Sequence, residues 1–572
     1  MQKLRNLTLA VALGATMASC TDDFASINLD PGLINEPNPA FLFTDALTAH
    51  GTGYTQWFYD YYNYFYRWNQ ATVFSGGNEV QYNDIGAVDG GSSPYGLRGN
   101  LDEIRRQIGM MNEEQQATRQ QMVGITYIPP IYHGIQRTDR WGSAPWSEAM
   151  QGRYESNFSP KYDTQRELFE QWLDELNLAI DLIRGAQGTQ LSYGVQDFVY
   201  GGDASKWARL ANSTKLRIAA RVAGQDAAWA QSIIAEAVAN PAGFITDADH
   251  DFLYSPGPEY RGSAQDFWGS PTAAKNFVSS MREARDPRVH FFFTPNAFSQ
   301  ETVDLFVAQG RDLPDWIDPN VAVDPFDRYR GGPVAPDVQG QRPYFGGSYQ
   351  DADGLSYLQL SHINRRFFAP QFQGGQGYLI EPRLTSADVA FYLAEFIEKG
   401  WVSGPIEGRG VAKWYEHGIR HSMRIYDEIA NRAGVFDYDQ FAVTEAQIDE
   451  YLTRPEVDLN SGVGSVLEKI HYQQFINYFK NGTEQWTLVR RTGFPSRTGQ
   501  ILQWDAPLAG GQELPIPRRF PVNEPDNPIN IDNWRSAMQA QGFTWGTSLG
   551  QDLNVERVWF DETNPNYGNG SF

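Results

Sequence analysis

The sequence predicts a mainly α-helical protein, on three grounds. Apolar residues recur at three- and four-residue spacing in several separate segments, which is the pattern of amphipathic helices. These helices come in pairs joined by short turns, as in solenoid proteins, although no strict repeat is present. The 572 residues are 41% hydrophobic, which is enough for a substantial core. Because no change of composition divides the chain, we expect residues 20–572 to form a single domain.

The clearest helix is predicted over residues 163–185, where Leu168, Trp172, Leu176 and Ile180 share one face. Further helices are expected from near Ser205 through Val222 and over residues 226–239, 386–399, 410–433 and 463–480. Residues 255–382 and 75–99 are rich in Gly, Pro, Asp and aromatic residues and are predicted to be irregular. Long irregular segments on a rigid scaffold often carry function. A short strand is expected at residues 556–560.

Charge and hydropathy exclude two classes of protein. The formal net charge is -23, and a surface this acidic repels phosphates, so we expect no nucleic-acid partner. The mean hydropathy of -0.49 and the lack of a long apolar run exclude a protein that crosses the membrane several times.

The first twenty residues have the form of a lipoprotein signal. Lys3 and Arg5 precede a short apolar run over residues 7–15, and Ala18 and Ser19 lead directly into Cys20, the single cysteine of the chain. This order is typical of a secretory signal rather than of a membrane-spanning helix. It resembles the lipobox of bacterial lipoproteins, so residues 1–19 are predicted to be removed and Cys20 to be acylated. The alternative is an ordinary buried cysteine.

Catalytic and metal-binding motifs are incomplete. Residues 546–550 match the nucleophile-elbow pattern, but the strand and helix that this turn requires are not predicted around them. His417 and His421 are spaced like a zinc pair without the glutamate and third ligand of such sites. A calcium-like loop starting at Asp351 has His362 at its twelfth position, where glutamate is expected. We therefore expect no enzyme and no cofactor, with structural calcium at the Asp351 loop as the remaining alternative.

Aromatic residues make up 14% of the chain, and they fall into two groups. Those crowded into residues 54–68 are predicted mainly to pack in a core. Those in the irregular segments are the candidates for ligand binding, because flat rings can stack on sugar rings while polar neighbours bind the hydroxyl groups. Loop packing is the alternative for each of them. The candidates are Tyr82, Tyr95, Trp268, Trp316, Tyr329 and Tyr344.

Several local sequences, in order along the chain, resemble the SusD/RagB family of outer-membrane nutrient-binding lipoproteins in Bacteroidetes, in its SusD-like second branch. The sequence departs from the family pattern at Val522, where proline is more frequent, and in the bulky residues 391–396. The resembling segments are residues 138–149 (TDRWGSAPWSEA), 160–165, 200–207, 389–400, 415–419, 486–495 (ending RRTGFP) and 516–524 (IPRRFPVNE).

The resemblance implies a SusD-like fold with about four TPR-like helix pairs and long irregular loops that form a ligand face. It also implies a lipid-anchored protein at the outer membrane, facing the cell exterior, which passes oligosaccharides to a SusC-like TonB-dependent transporter. The cargo is either a glycan, which the loop aromatics favour, or a peptide. A surface-anchored glycoside hydrolase or esterase and a purely structural assembly partner are the competing hypotheses. Arg490, Arg491, Arg518 and Arg519 lie in the motifs, and we expect them to pair with carboxylates inside the protein rather than to face the transporter.

Overall fold

The computed structural model describes residues 38–53, 56–73, 93–262, 271–339, 348–350, 356–525, 528–546 and 552–572. Several predictions therefore fall outside the described residues and are not tested by the structure. These are the signal peptide, Cys20, Tyr82, Trp268, Tyr344, the calcium-like loop at Asp351 and the core of the elbow pattern at residues 547–550.

Helices dominate the described part of the chain, as predicted. We number those of eight or more residues. They are α1 (Pro39–Thr48), α2 (Pro94–Gly109), α3 (Ile128–Trp141), α4 (Gln165–Gly185), α5 (Ala204–Val222), α6 (Ala227–Ala239), α7 (Lys275–Glu283), α8 (Gln300–Ala308), α9 (Ser386–Glu398), α10 (Val411–Ala433), α11 (Glu445–Leu452), α12 (Val466–Asn477), α13 (Gly482–Thr492) and α14 (Ile531–Ala540). Shorter helices include Glu113–Ala117, Gln120–Ile125, Val289–Phe292 and Arg365–Phe368.

The predicted starts of α4 and α9 are confirmed, and side chains cap both helices. Thr164 and Glu167 form a reciprocal capping box at the start of α4, and Thr385 and Asp388 do the same for α9. Such caps satisfy backbone N–H groups that have no partner within the helix. Gly434 ends α10 in the left-handed conformation, with φ of 65°, which glycine adopts without steric cost.

Helices that follow one another pack together in pairs. Helix α2 packs against α3, α4 against α5, α9 against α10 and α12 against α13. Helix α5 also packs against α6 and α9, and α9 packs against α12. The pairing agrees with the predicted mainly α fold.

Strands are short and antiparallel. Four two-stranded pairs are present among the described residues. They join β1 (Thr72–Val73) to β3 (Thr272–Ala273), β2 (Phe252–Tyr254) to β6 (Glu381–Leu384), β4 (Ser348–Gln350) to β5 (Ser356–Leu358), and β7 (Leu508–Ala509) to β8 (Gln512–Glu513).

Three local predictions are wrong. Residues 255–382 contain two regular helices, α7 and α8, within the segment predicted to be irregular. The predicted loop over residues 75–99 gives way to α2 at Pro94, where Ser93 caps the helix. The expected strand at residues 556–560 is absent from this part of the structure, because the chain there forms a single turn, Trp559–Asp561.

The core has two large parts that meet at the half-buried Trp141. One part contains helices α1 to α6 and α9, together with residues of α10, α11, α12 and α14. The other is rich in aromatic rings and surrounds the π-helical segment Gln56–Phe65. In it, Phe65 packs against Trp486 and Phe520, with centroid distances of 4.8 and 5.5 Å, and these two rings also contact each other at 5.6 Å. The prediction that the aromatics of residues 54–68 pack in a core is confirmed for most of the described ones.

Buried ion pairs join the helices. The Arg221 guanidinium of α5 lies 2.7 Å from the Asp139 carboxylate of α3 and 2.9 Å from the Glu484 carboxylate of α13. Two of the motif arginines also pair internally, since Arg491 binds Glu395 in a bidentate arrangement at 2.7 Å, and Arg518 binds Asp561.

The other two motif arginines also make contacts inside the protein. Arg519 pairs with Glu556, and Arg490 donates to the carbonyl oxygens of Asp139 and Arg518. The predicted internal role is therefore confirmed for the four arginines, with carboxylate partners for Arg491, Arg518 and Arg519 and carbonyl partners for Arg490. Among the helices that the structure describes, none has both the length and the apolar character needed to cross a membrane.

Candidate ligand-binding cleft

A polar cleft of about 540 Å³ opens beside α7. One wall is the exposed side of this helix, a second is formed by Trp316, Arg330 and residues 359–360, and a third by residues 500–503. Its described lining comprises Lys275, Asn276, Ser279, Ser280, Arg282, Glu283, Trp316, Arg330, Gly331, Gln359, Leu360, Gln500, Ile501 and Gln503. Most of these residues come from the segment over residues 255–382, for which a functional role was predicted.

The backbone beneath the cleft is tightly constrained at Gly331. The Lys275 N–H donates to the Gly332 carbonyl at 2.7 Å, and the Gly332 N–H donates to the Ala273 carbonyl at 2.9 Å. A Cβ atom at Gly331 would lie 2.6 Å from the backbone of Ala273, Ala274 and Lys275. Glycine at this position therefore allows two chain segments to approach closely. The close approach fixes where Arg330 enters the cleft.

Arg330 is held from a second side by Ser361. The Ser361 N–H donates to the Arg330 carbonyl at 2.7 Å, and the Arg330 N–H donates to the Ser361 hydroxyl at 3.1 Å. The Arg330 guanidinium lies 4.1 Å from the centroid of the Trp316 ring. This distance is that of a cation–π contact, so one face of the indole ring supports the guanidinium.

Trp316 is anchored by a small apolar cluster that includes Phe298, Val303 and Phe306. The Phe298 ring packs edge-on against it, with centroids 5.6 Å apart. The indole N–H donates to the buried Gln359 side chain at 3.4 Å. The half-buried ring is thus positioned by packing on one side and by a polar contact on the other.

The opposite wall is held by a buried carboxylate. Glu468 accepts hydrogen bonds from the backbone N–H groups of Gln500 and Ile501 at 2.7 and 2.9 Å. The Asn276 side chain donates to the Gln503 carbonyl at 3.0 Å, which joins this wall to α7. The cleft is therefore built from fixed backbone, and it presents four amide side chains, from Asn276, Gln359, Gln500 and Gln503.

The structure distinguishes among the predicted ligand-binding residues that it describes. Trp316 lines the cleft. Tyr329 does not line the cleft, because its ring is fully buried and its hydroxyl lies 2.9 Å from His290 Nδ1. Tyr95 lies in α2, away from the cleft, and its hydroxyl donates to the Pro145 carbonyl at 2.9 Å. Tyr95 therefore packs within the helical part of the structure and does not line this cleft.

Arg330, Lys275 and the four amides were missed by the sequence analysis. Nothing in their local sequence distinguishes them from other polar residues, since the cleft forms only when distant segments meet. The sequence Arg330-Gly331-Gly332-Pro333 is the one available signal, because adjacent glycines in an irregular segment often mark a close approach of two chain segments.

The histidines and acids considered for metal binding serve other contacts. His417 Nε2 lies 2.9 Å from the Thr246 carbonyl, and His421 Nε2 lies 2.9 Å from the buried Asp251 carboxylate. Within the described residues, Asp247, Asp249 and His250 lie close enough together to share an ion. However, the Lys206 ammonium is 3.2 Å from Asp249 and already supplies positive charge there.

Comparison with known proteins gives one family and several similar folds. The model of the SusD-like 2 family, described as starch-binding and associating with the outer membrane, matches residues 31–319 and 337–521. A SusD homologue from Bacteroides fragilis has a similar fold, with 20% identity, a TM-score of 0.63, and coverage of 92% of this chain and 100% of that chain.

Two further structures show the same similarity. A SusD homologue from Parabacteroides distasonis has 17% identity and a TM-score of 0.61, over 94% of this chain and 100% of that chain. A chitin-binding SusD homologue from Flavobacterium johnsoniae has 18% identity and a TM-score of 0.56, over 92% of this chain and 98% of that chain. No curated protein matches the sequence. At these identities the structural similarity concerns the fold alone.

Proposed function

Since the chain belongs to the SusD-like family, whose model is described as starch-binding and associating with the outer membrane, we propose that it is a cell-surface lipoprotein that captures oligosaccharides. It is anchored to the outer membrane through an acylated Cys20 and faces the exterior. It passes its cargo to a SusC-like TonB-dependent transporter and breaks no covalent bond. The chitin-binding homologue with a similar fold supports a glycan as cargo.

The observation that carries this proposal is the composition of the cleft beside α7. Sugars offer hydroxyl groups that both donate and accept hydrogen bonds. Amide side chains match them because each has a donor and an acceptor group. Four amides and two serines line the cleft with one aromatic ring. Backbone hydrogen bonds hold the walls of the cleft in place. The protein therefore loses little conformational entropy when a ligand binds.

Binding and turnover are tested together with the purified mature protein. We expect isothermal titration against a panel of neutral and acidic oligosaccharides to show saturable binding to at least one of them. Prolonged incubation of the same mixtures is expected to release no new reducing ends. Sustained release of reducing ends would instead support the hydrolase hypothesis.

The cleft is tested with a matched pair of tryptophan variants. Trp316 and Trp229 are both half-buried and both carry an arginine over the ring, since Arg166 lies 4.7 Å from the Trp229 centroid. Trp229 lies on α6 and does not line the cleft. We expect Trp316→Ala to weaken binding of the oligosaccharide at least about tenfold and Trp229→Ala to leave it unchanged, with similar melting temperatures. If the two variants changed the affinity for the oligosaccharide equally, the cleft would not be its binding site.

The anchor and the partner are tested in cells. We expect the Cys20→Ala variant to leave the outer-membrane fraction and the wild-type protein to be retained there. We also expect a TonB-dependent transporter to copurify with the wild-type protein after gentle detergent extraction. Release of both forms from the membrane would contradict the lipid anchor.

A further inference from the structure

A lysine, an asparagine and a glutamate meet outside the cleft, where three consecutive helices pack together. The Lys215 ammonium of α5 donates to the Asn177 side-chain oxygen of α4 and lies 3.0 Å from the Glu236 carboxylate of α6. Asn177 also forms a hydrogen bond with Glu236. The Lys215 side chain is fully buried, Asn177 is half-buried and Glu236 is exposed. Each of the three side chains therefore contacts the other two.

The contacts of Lys215 differ from those of other lysines in the described part of the chain. Lys480 and Lys469 donate to backbone carbonyl oxygens, and Lys161 and Lys399 bind carboxylates. Lys215 binds a side-chain amide and a carboxylate at the same time. A nucleophile, a carbonyl carbon and a proton acceptor in mutual contact are the three groups that acyl transfer requires.

The helices hold these groups in a reactive arrangement. Because Oδ1 is bonded to Cγ, an amine that donates to the Asn177 oxygen lies beside the carbonyl carbon. Asn177, Lys215 and Glu236 all lie within regular helices, so packing limits their movement apart. Groups that are fixed in this way reach effective concentrations of about 10⁵–10⁸ M. This proximity favours even the attack of an amine on an amide, which is slow in water.

Glu236 is suited to move the protons of this reaction. Partial burial raises the pKa of its carboxyl group, but the hydrogen bonds from Lys215 and Asn177 and the charge of Lys215 outweigh burial and lower this pKa. At neutral pH Glu236 is therefore a carboxylate, and it lies within hydrogen-bond distance of the proton that the amine must lose. A carboxylate in this position accepts that proton and passes it to a leaving group.

From this geometry we propose that Lys215 and Asn177 become joined by an isopeptide bond, which links α5 to α4. The lone pair of Lys215 Nζ attacks Asn177 Cγ, and the bond between Cγ and Nδ2 breaks with its electron pair on Nδ2. The Lys215 ammonium loses two protons, and Glu236 passes both to Nδ2, which leaves as an ammonium ion. Atoms and charge balance without an oxidant, a reductant or another reactant. The bond closes a loop over residues 177–215 and stabilises the fold by restricting the unfolded chain, and it does not depend on the proposed function.

Peptide mapping of the full-length protein purified from cells tests the proposal. Trypsin cleaves after lysine and arginine, so a chain without the bond releases residues 167–184 and 210–215 as separate peptides. An acylated Lys215 resists cleavage. We therefore expect residues 167–184 joined to residues 210–217, with a mass about 17 Da below the sum of the two peptides, because ammonia is lost. Fragmentation of the joined peptide should place the link between Asn177 and Lys215.

Variants identify the role of each group. We expect Lys215→Arg to abolish the joined peptide, and Glu236→Gln to reduce its yield at least about tenfold, because an amide accepts no proton from the amine. Lys206→Arg is the control and should leave the yield unchanged, since Lys206 also lies on α5 and pairs with Asp249 at 3.2 Å. Glu236 is exposed, so its variant tests the proposal even if Lys215→Arg folds poorly.

The opposite results are equally clear. Recovery of only the separate peptides, even after long incubation of the folded protein at neutral pH, would overturn the proposal. A joined peptide whose link maps to another pair of residues would overturn it as well. An unchanged yield in Glu236→Gln would contradict the proton transfer through Glu236.

Discussion

Two arginine–tryptophan stacks in this protein have the same chemistry and different surroundings. In the core, the Arg490 guanidinium lies 3.4 Å from the Trp486 centroid. In the cleft, the Arg330 guanidinium lies 4.1 Å from the Trp316 centroid. Arg490 and Trp486 are fully buried, whereas Arg330 and Trp316 are half-buried at the wall of an open cleft.

Under the proposed function, this difference separates residues that stabilise the fold from residues that would contact the ligand. Arg490 donates to carbonyl oxygens from two distant segments, and burial lowers its pKa to about 10. It belongs to a family motif, while Arg330 does not. The family motifs of this chain therefore lie in its interior. A resemblance based on these motifs predicts the fold but not the ligand.

Removing a charge from the core should have the largest effect. We expect Arg221→Met to lower the free energy of unfolding by about 3–5 kcal/mol, because Asp139 and Glu484 would remain buried without their shared cation. Urea unfolding measures the loss. Arg424→Met is the control, since Arg424 and Glu445 are exposed and 2.8 Å apart, and such a pair contributes about 0–1 kcal/mol. Equal losses in the two variants would mean that the buried network contributes no more than a surface pair.

The two tryptophans test the comparison directly. We expect Trp486→Ala to destabilise the fold by about 3–5 kcal/mol, because it leaves a large cavity in the core, and to leave the affinity of the folded protein for its oligosaccharide unchanged. Trp316→Ala should show the opposite pattern, with a small change in unfolding and weaker binding. Thermal unfolding and titration of both variants measure the two quantities. Loss of affinity in both variants, or in neither, would break the distinction between core and cleft.

Acid should destabilise the core through its histidines. Burial lowers the pKa of His133 and of His290 to about 3 and that of His471 to about 4. Below the ordinary histidine pKa of about 6.5, these histidines bind protons in the unfolded chain but not in the folded protein. The free energy of unfolding is therefore highest above that pH and decreases as the pH is lowered toward about 4. Each such histidine should cost about 2 kcal/mol at about pH 5.

Urea unfolding at neutral pH and at about pH 5 measures this slope, and His133→Asn should reduce it by about the contribution of one histidine. An unchanged slope in that variant would contradict the assignment. The described lining of the cleft contains no histidine. If the affinity for the oligosaccharide stayed constant over the pH range in which stability falls, the histidine effect would be assigned to the core and not to the cleft.

Much of the fold could be predicted because its signals are local. The apolar spacing in residues 163–185 and the cap at Thr164 lie within one helix, and the structure confirms both. The family motifs also gave the correct family and the internal role of arginines such as Arg518. Helices α7 and α8 were missed because they are short and lie among glycines, prolines and aromatics, which hide their periodicity.

The site could be predicted only in part, because it depends on contacts between distant segments. An aromatic residue in an irregular segment either faces a ligand or anchors the loop, and local sequence does not distinguish the two cases. Trp316 lies at the cleft, whereas Tyr329 is buried against His290. Two residues of the cleft lining, Lys275 and Arg330, are far apart in sequence and are brought together by the close approach at Gly331.

That close approach provides the smallest and most local test. In Gly331→Ala the added methyl group would lie 2.6 Å from three backbone atoms of residues 273–275, so the two segments must separate and the variant should lose about 1–2 kcal/mol of stability. The shift moves Arg330 relative to Lys275, and we expect oligosaccharide affinity to fall several-fold. Gly109→Ala is the control, because a Cβ there, at the end of α2, meets open space. If Gly331→Ala retained full affinity despite the loss of stability, the position of Arg330 would not determine binding, and the cleft would owe its affinity to the amides and Trp316 alone.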